Sequence, residues 1–307
     1  AALDVEELGS VYESLLDYHP QIDTSGSVPR FELAYGSERK STGSYYTPPE
    51  LVQELIRSAL EPVLAERLKS TKTLQEKERA ILSIRVLDPA CGSGGFLVAG
   101  MNYIKEKFVK ERPELKTKAT DFLKEYAHAY ISGIDINPDL AKVAKMHMVL
   151  YDDGHSGIFC ANSLSDLNEL VRIAERAGVS RALRPNEGNF KILMTNPPFG
   201  SKGKVTDKRI LQNFELGFKW KKETDGRWTK TNKLLDGQIP EILFIERSLY
   251  LLGEGGRMAI VLPNGTLNNS SLEYVREFIK QHSRILAVVS LPVGTFMSAG
   301  ANPQPSV

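Results

Sequence analysis

Apolar positions recur along the chain in two registers, one of helical and one of strand spacing, and the changes between them define the predicted elements. Leu3, Val5, Leu8, Tyr12, Leu15 and Leu16 fall at helical spacing, while residues 21–30 (QIDTSGSVPR) and 36–44 (GSERKSTGS) read as polar loops. Thr47-Pro48-Pro49-Glu50 has the form of a helix start, with a capping Thr, Glu three residues on and Pro at the first helical position. A helix is therefore expected from Pro48, with an apolar stripe over residues 51–60 and a kink or break near Leu60 caused by Pro62. A charged helical stretch is expected over residues 73–82.

Beyond it, short apolar runs alternate with amphipathic stretches. Strands are predicted at residues 84–88, 130–135, 157–161, 191–195, 257–262 and 285–291, and helices at 95–110, 116–128, 138–150, 164–177, 240–252 and 272–281. Strands separated by helices imply an α/β fold with a doubly wound, mainly parallel sheet of Rossmann-like type, preceded by a small helical N-terminal segment. Ligands of such folds sit beyond the carboxyl ends of the strands. Only residues 200–236 lack a strand or strong helix pattern, and loops of that length are usually functional or disordered.

Composition narrows the class. Among 307 residues, 41% are hydrophobic and 25% charged, which excludes collagen-like, coiled-coil and wholly disordered chains. Lys plus Arg against Asp plus Glu gives 39 − 38 = +1, so any nucleic-acid-binding surface must be local. Cys91 and Cys160 have neither disulfide-framework nor zinc spacing and are expected to be small buried hydrophobes in a reducing cytoplasm. The histidines (19, 128, 147, 155 and 282) show no ligand spacing, so no metal site is expected. The longest apolar run, ILAVVSL at 285–291, is strand-sized rather than membrane-spanning, and the acidic start AALDVEEL is unlike a signal peptide. An intracellular protein with no membrane association is expected.

The candidate chemistry lies at strand ends. Asp88-Pro89-Ala90-Cys91-Gly92-Ser93-Gly94-Gly95-Phe96 is a glycine-rich turn into a helix, suited to close backbone approach by a ligand or simply to tight packing. It matches neither GxGxxG nor a GxxxxGK[ST] phosphate loop. Asp135, in GIDINP, is placed to accept from two ribose hydroxyls, with Ile136 beside it for an adenine ring; Asn137 is the better helix cap, which leaves Asp135 for a ligand. Asn162, in ANSL, could read an adenine edge or cap the following helix. Asn196-Pro197-Pro198-Phe199 is the most informative tetrapeptide: two prolines stiffen the backbone and remove donors. The Asn196 side-chain oxygen and Pro197 carbonyl could then accept both hydrogens of a planar amine whose ring stacks on Phe199. A rigid turn would explain the prolines, but not the Asn and Phe together.

These residues, in this order, resemble the amino-methylating DNA methyltransferases that use S-adenosylmethionine, most closely the adenine-N6 modification subunits of type I restriction-modification systems and related large methylases. The resemblance rests on YYTPPELV, DPACGSGGFL, GIDINP, ANSL, NPPFG and VLPNGTL between Tyr45 and Phe296. It implies that Tyr46, Thr47 and Pro48, with Asp88, Ala90, Gly92, Ser93, Gly94 and Phe96, hold the methionine part of the cofactor. Asp135 would bind its ribose, Ile136, Asn162 and Ser163 would surround its adenine, and Asn196, also beside the cofactor, would receive an extruded target base together with Pro197, Pro198 and Phe199.

The resemblance further implies double-stranded DNA as substrate, a specificity and possibly a restriction subunit as partners, and a bacterial or archaeal cytoplasm. Residues 200–236 carry ten basic against five acidic side chains, 10 − 5 = +5, and both tryptophans. Lys202, Lys204, Trp220, Lys221, Lys222 and Trp228 are the candidate DNA contacts there, against a merely solvated basic hairpin or an interface. Two departures stand out: Asp88 and Asp135 are 135 − 88 = 47 residues apart, implying an inserted helix, and the last strand of the family is cut short. The expected domains are a lead-in, 1–44, and a catalytic domain, 45–307, that leaves no room for target recognition and so points to a fragment. Rival readings are a glutamine-N5 protein methyltransferase, which shares an NPP-aromatic motif, and a catalytically silent DNA-binding scaffold.

Overall fold

The computed structural model describes residues 18–24, 28–35, 47–151, 157–179, 183, 190–198, 200, 203–292, 295–296 and 305–307. The helix expected over residues 3–16 lies outside them. Strands β1 (Tyr18–Asp23) and β2 (Arg30–Tyr35) pair antiparallel, with Pro20 opposite Leu33 and Ile22 opposite Phe31. Residues 21–23 and 30, expected in a loop, thus belong to strands, because these flanks alternate apolar and polar residues with period two.

Next come α1 (Pro49–Leu55), a π-helical turn (Ile56–Leu60) and α2 (Glu61–Lys69). The expected break at Pro62 is replaced by that wider turn: proline offers no N–H to the carbonyl four residues back, and the Ser58 carbonyl accepts instead from Arg257 Nη1 at 3.3 Å. Helix α3 (Leu74–Ile81) opens on a capping box between Thr73 and Glu76.

The central α/β core follows as β3 (Val86–Asp88), α4 (Gly95–Glu111), α5 (Ala119–Tyr130), β4 (Ile131–Asp135), α6 (Pro138–Leu150), β5 (Gly157–Cys160), α7 (Leu167–Arg176) and β6 (Phe190–Thr195). After it come α8 (Lys208–Leu211), the hairpin β7 (Phe218–Lys222) and β8 (Trp228–Leu234), α9 (Pro240–Leu251), β9 (Leu252–Ile260), β10 (Leu262–Pro263), α10 (Asn264–Asn268), α11 (Glu273–His282) and β11 (Pro305–Ser306). Residues 200–236 therefore hold a short helix and a hairpin rather than an unstructured loop. The inserted helix inferred from the Asp88 to Asp135 spacing is α5.

Five strands form one parallel sheet in the order β5-β4-β3-β6-β9. Alternate residues serve opposite faces: Val86, Ile158, Ile192 and Met194 pack with α1, α4, α5 and α6, whereas Leu87, Phe159 and Leu193 pack with α7. This is the expected doubly wound α/β architecture. Chain order reverses at β3, which has β4 and β5 on one side and β6 and β9 on the other, so the switch-point crevice opens at the carboxyl end of β3. Gly133 lets the layers close there: a Cβ on it would lie 2.6 Å from Leu97 Cδ1 and 3.1 Å from Cys91 Sγ.

One predicted strand is absent. Residues 285–291 form no strand; Ile285, Leu286, Val288 and Val289 are exposed, and only Ser290 bridges antiparallel to Ser306. An apolar run becomes a strand only when another strand completes its ladder. Among the described residues its ladder bonds are confined to residues 305–307, through Val289 and Leu291, which leaves an isolated bridge rather than a strand. No helix among the described residues is long and apolar enough to cross a membrane.

Candidate active site

Three strand ends converge on the crevice. Asp88, last in β3, is 1% exposed; its Oδ1 accepts from Ala90 N at 3.0 Å, while Oδ2 has no hydrogen-bond partner among the described residues. Burial pushes this carboxyl up to about 7, against the opposing pull of the Ala90 N–H and of the Thr195 hydroxyl, and nearby Asp135 adds to the rise. The following turn is stitched to β4 by Cys91 N on the Ile134 carbonyl at 2.9 Å and by Gly92 N on Asp135 Oδ2 at 2.8 Å. Gly92 (φ 52°) and Gly94 (φ 93°) adopt left-handed conformations that other residues rarely hold. At the start of α4 a Cβ on Gly95 would meet no atom within 4 Å, so this backbone faces open space. Cys91 is buried as expected, and burial beside two carboxylates raises its thiol well above the usual range, which favours the neutral thiol.

Several residues expected at the cofactor also make structural hydrogen bonds or pack in the core. Asp135 is not left free by Asn137. It accepts from both Gly92 N and Asn137 N (2.8 Å each), and burial still raises its carboxyl. Asn137 does cap α6 as predicted. Ser163 is buried, with its hydroxyl donating to the Pro89 carbonyl. Phe96 lies in the core with Leu97. Asn162 caps no helix, since Asp166 caps α7; its Oδ1 accepts from Leu164 N at 3.0 Å, which leaves the amide NH2 as its donor side. Ile136, by contrast, is 65% exposed beside Asp135. Cys160 is exposed rather than buried, its thiol donating to the Ile136 carbonyl at 3.5 Å.

At the end of β6, beside β3 in the sheet, stand Asn196, buried Pro197 and Pro198; Phe199, Tyr46 and Lys202 lie outside the described residues. Helix α1 starts one residue later than expected, with Pro48 at its cap position and no capping side chain. Thr47 is used differently: its Oγ1 accepts from Asn196 Nδ2 at 3.1 Å. Donation through Nδ2 gives Oδ1 the accepting role. Spacing alone could not reveal this contact, which joins residues 149 apart in sequence.

Over residues 5–304 the sequence matches the N-6 DNA methylase family. The chain belongs to that family. It is 21% identical over 257 residues to the type I restriction enzyme EcoEI methylase subunit of Escherichia coli, covering 83% of this chain and 40% of the relative. To the type II restriction enzyme and methyltransferase RM.BcgI of Heyndrickxia coagulans it is 26% identical over 223 residues, covering 71% and 26%. The crystal structure of the EcoKI M protein, whose methylase subunit is from Escherichia coli K12, superposes with a TM-score of 0.53 at 21% identity, over 86% of this chain and 43% of that one. This N-6 DNA methylase chain thus spans less than half the length of these relatives.

The basic hairpin of the methylase is more committed than its sequence suggests. Trp220 stacks on Tyr274 (6.1 Å) and meets Phe278 edge-on (6.2 Å), its Nε1 donating to the Glu215 carbonyl, and Trp228 also contacts Tyr274. Both rings pack against α11, which removes Trp220 as a free stacking platform. Lys222 pairs with Glu273 (2.8 Å) and Lys221 with Glu223 (3.0 Å), though both remain about half exposed, and Lys204 is exposed. Two residues given no role from sequence also reach the site. His147 is buried, and its Nδ1–H donates to the Ser93 carbonyl at 2.9 Å, clamping the glycine turn to α6. Glu241, at the start of α9, accepts from Gly200 N at 3.3 Å. Among the described residues no group of three or more acidic, His or Cys side chains is arranged to hold a metal.

Proposed function

We propose that this chain methylates the exocyclic N6 amine of adenine in DNA with S-adenosylmethionine, as the modification part of a restriction-modification or related defence system acting in the cytoplasm. The observation that carries the reading is the adjacency, at neighbouring strand ends, of an Asn196-Pro197 acceptor pair held by Thr47 and a cleft walled by the buried carboxylates Asp88 and Asp135. Neither carboxylate forms an ion pair among the described residues, so two buried acids without a counter-charge suit a cationic ligand. S-adenosylmethionine carries an ammonium and a sulfonium, and its adenine and ribose suit exposed Ile136 and the remaining acceptor capacity of Asp135. When bound, it supplies an electrophilic methyl group.

The chain's own residues do the rest. Asp88 holds the ammonium, and the left-handed glycines let the turn approach the ligand closely. Asn196 Oδ1 and the Pro197 carbonyl accept both amine hydrogens, which favours a pyramidal nitrogen and localises a lone pair otherwise spread into the ring. Pro197 and Pro198 bring no N–H to compete. Catalysis rests on positioning and electrostatics at the amine. Lys204 ahead of the hairpin and Lys221 within it are exposed and available to meet phosphates, with sequence recognition and restriction supplied by partner subunits or domains.

Transfer of labelled methyl to DNA and, separately, to protein tests the reading. The wild-type chain should label DNA adenine, while Asn196→Ala should bind cofactor and label nothing. Labelling of protein alone would instead support the glutamine reading, and undiminished transfer by the variant would remove Asn196 from the mechanism.

A further inference from the structure

The target-base loop is held at its start by Thr47, and the structure gives its far end a holder as well. Gly200 directly follows the Asn196 to Phe199 tetrapeptide and adopts φ +118°, a left-handed conformation, with no atom of the described residues within 4 Å of a would-be Cβ. Its N–H donates to Glu241 Oε2 at 3.3 Å. Glu241 is 3% exposed and sits in the first turn of α9, behind the N-terminal proline of that helix. Such a turn favours a carboxylate. Among the described residues no Lys or Arg pairs with it, and burial raises its carboxyl above the ordinary range while the Gly200 N–H and its own N–H pull the other way. An unpaired buried carboxyl is costly to keep, and an apolar side chain would serve α9 better on packing grounds alone.

We infer that Glu241 is a positioning residue for methyl transfer, fixing the carboxyl-terminal end of the Asn196 to Phe199 loop through the Gly200 N–H. The inference rests on the reading of that loop as the target-base site. With Thr47 holding Asn196 and Glu241 holding Gly200, the acceptor pair is clamped from two segments, the residue preceding the cap of α1 and the first turn of α9, that lie far apart in sequence. Loss of the second clamp leaves the cofactor cleft intact and lets the base-facing loop wander. The expected signature is a slower chemical step with unchanged cofactor binding.

The test compares Glu241→Gln, which keeps a carbonyl acceptor, with Glu241→Ala, which removes it. Backbone amide exchange of Gly200 by NMR, single-turnover methyl transfer to DNA and S-adenosylmethionine affinity are measured on each. Glu241→Ala should exchange Gly200 at least tenfold faster and transfer at least tenfold more slowly, with cofactor affinity within twofold of wild type. Glu241→Gln should restore both rates to within about threefold. Unchanged Gly200 exchange in the Ala variant would overturn the anchor, and faster exchange with an unaltered transfer rate would overturn its role in positioning. Equal losses in both variants together with weakened cofactor binding would mark Glu241 as merely structural. Absence of transfer by the wild-type chain would count against the methyltransferase reading, while the exchange measurement would still decide the anchor.

Discussion

Replacing Asp88 with Asn isolates the electrostatics of the cleft. The Asp88 carboxyl is displaced from 3.8 to about 7 by near-complete burial, roughly three pH units or ~4 kcal/mol as an upper figure. Because the folded-state value lies above the unfolded one, the folded chain holds an extra proton between about pH 4 and 7. Stability therefore falls as pH rises through that window and is flat above it. Asparagine keeps the acceptor for Ala90 N and adds a donor toward Thr195, so Asp88→Asn should match wild type in stability near pH 5 and exceed it at pH 8 by a few kcal/mol. For a chain of this size that corresponds to a rise on the order of 5 °C in Tm. Binding should move the other way. An ammonium needs the ionised carboxylate, so wild-type affinity for S-adenosylmethionine should climb about tenfold per unit up to pH 7 and then level off, whereas the variant should bind weakly and show no such climb. Thermal melts and calorimetric titrations from pH 5 to 8 read both arms. A variant less stable than wild type at pH 8, or a wild-type affinity flat from pH 5 to 7, would refute the assignment of Asp88 as the buried counter-charge.

Two further outcomes follow from the geometry. Thr47→Val removes the acceptor for Asn196 Nδ2, a hydrogen bond of ~1 kcal/mol, and should slow single-turnover transfer about fivefold with little change in cofactor affinity; an unchanged rate would show that Asn196 is held by other means. Charge reversal of Lys221 and Lys222 should weaken DNA binding across sequences and flatten its dependence on salt, as read by fluorescence anisotropy at several ionic strengths, while the loss of two exposed ion pairs changes stability by under about 1 kcal/mol.

Much of the fold was legible because its signals are local. Helix α6 begins and ends where Asn137-Pro138 and the apolar stripe place it, and the parallel sheet follows from apolar runs separated by helices. The failures are tertiary. Pro62 reads as a break until Arg257, 199 residues beyond Ser58, supplies a donor for the freed carbonyl. The run 285–291 reads as a strand but lacks the neighbours a ladder needs. Trp220 and Trp228 read as candidate DNA contacts in a basic stretch, and their packing against α11 rests on contacts that sequence spacing does not encode.

The candidate site divides in the same way. The residue types at strand ends announce the chemistry, because a cationic ligand needs carboxylates and an amine needs acceptors. They do not announce which groups meet the ligand and which hold the others in place. Asp135 would belong to both classes under the proposed function, bracing the glycine turn through Gly92 N on one oxygen and Asn137 N on the other, with its remaining lone pairs available to a ribose. Thr47, His147, Ser163 and Glu241 each spend a polar side chain on a backbone or side-chain group of the cleft. A pair of acceptors can localise the amine lone pair only if neither moves as the base arrives. Preorganisation of this kind is what joins the buried struts, so costly in isolation, to the exposed chemistry they serve.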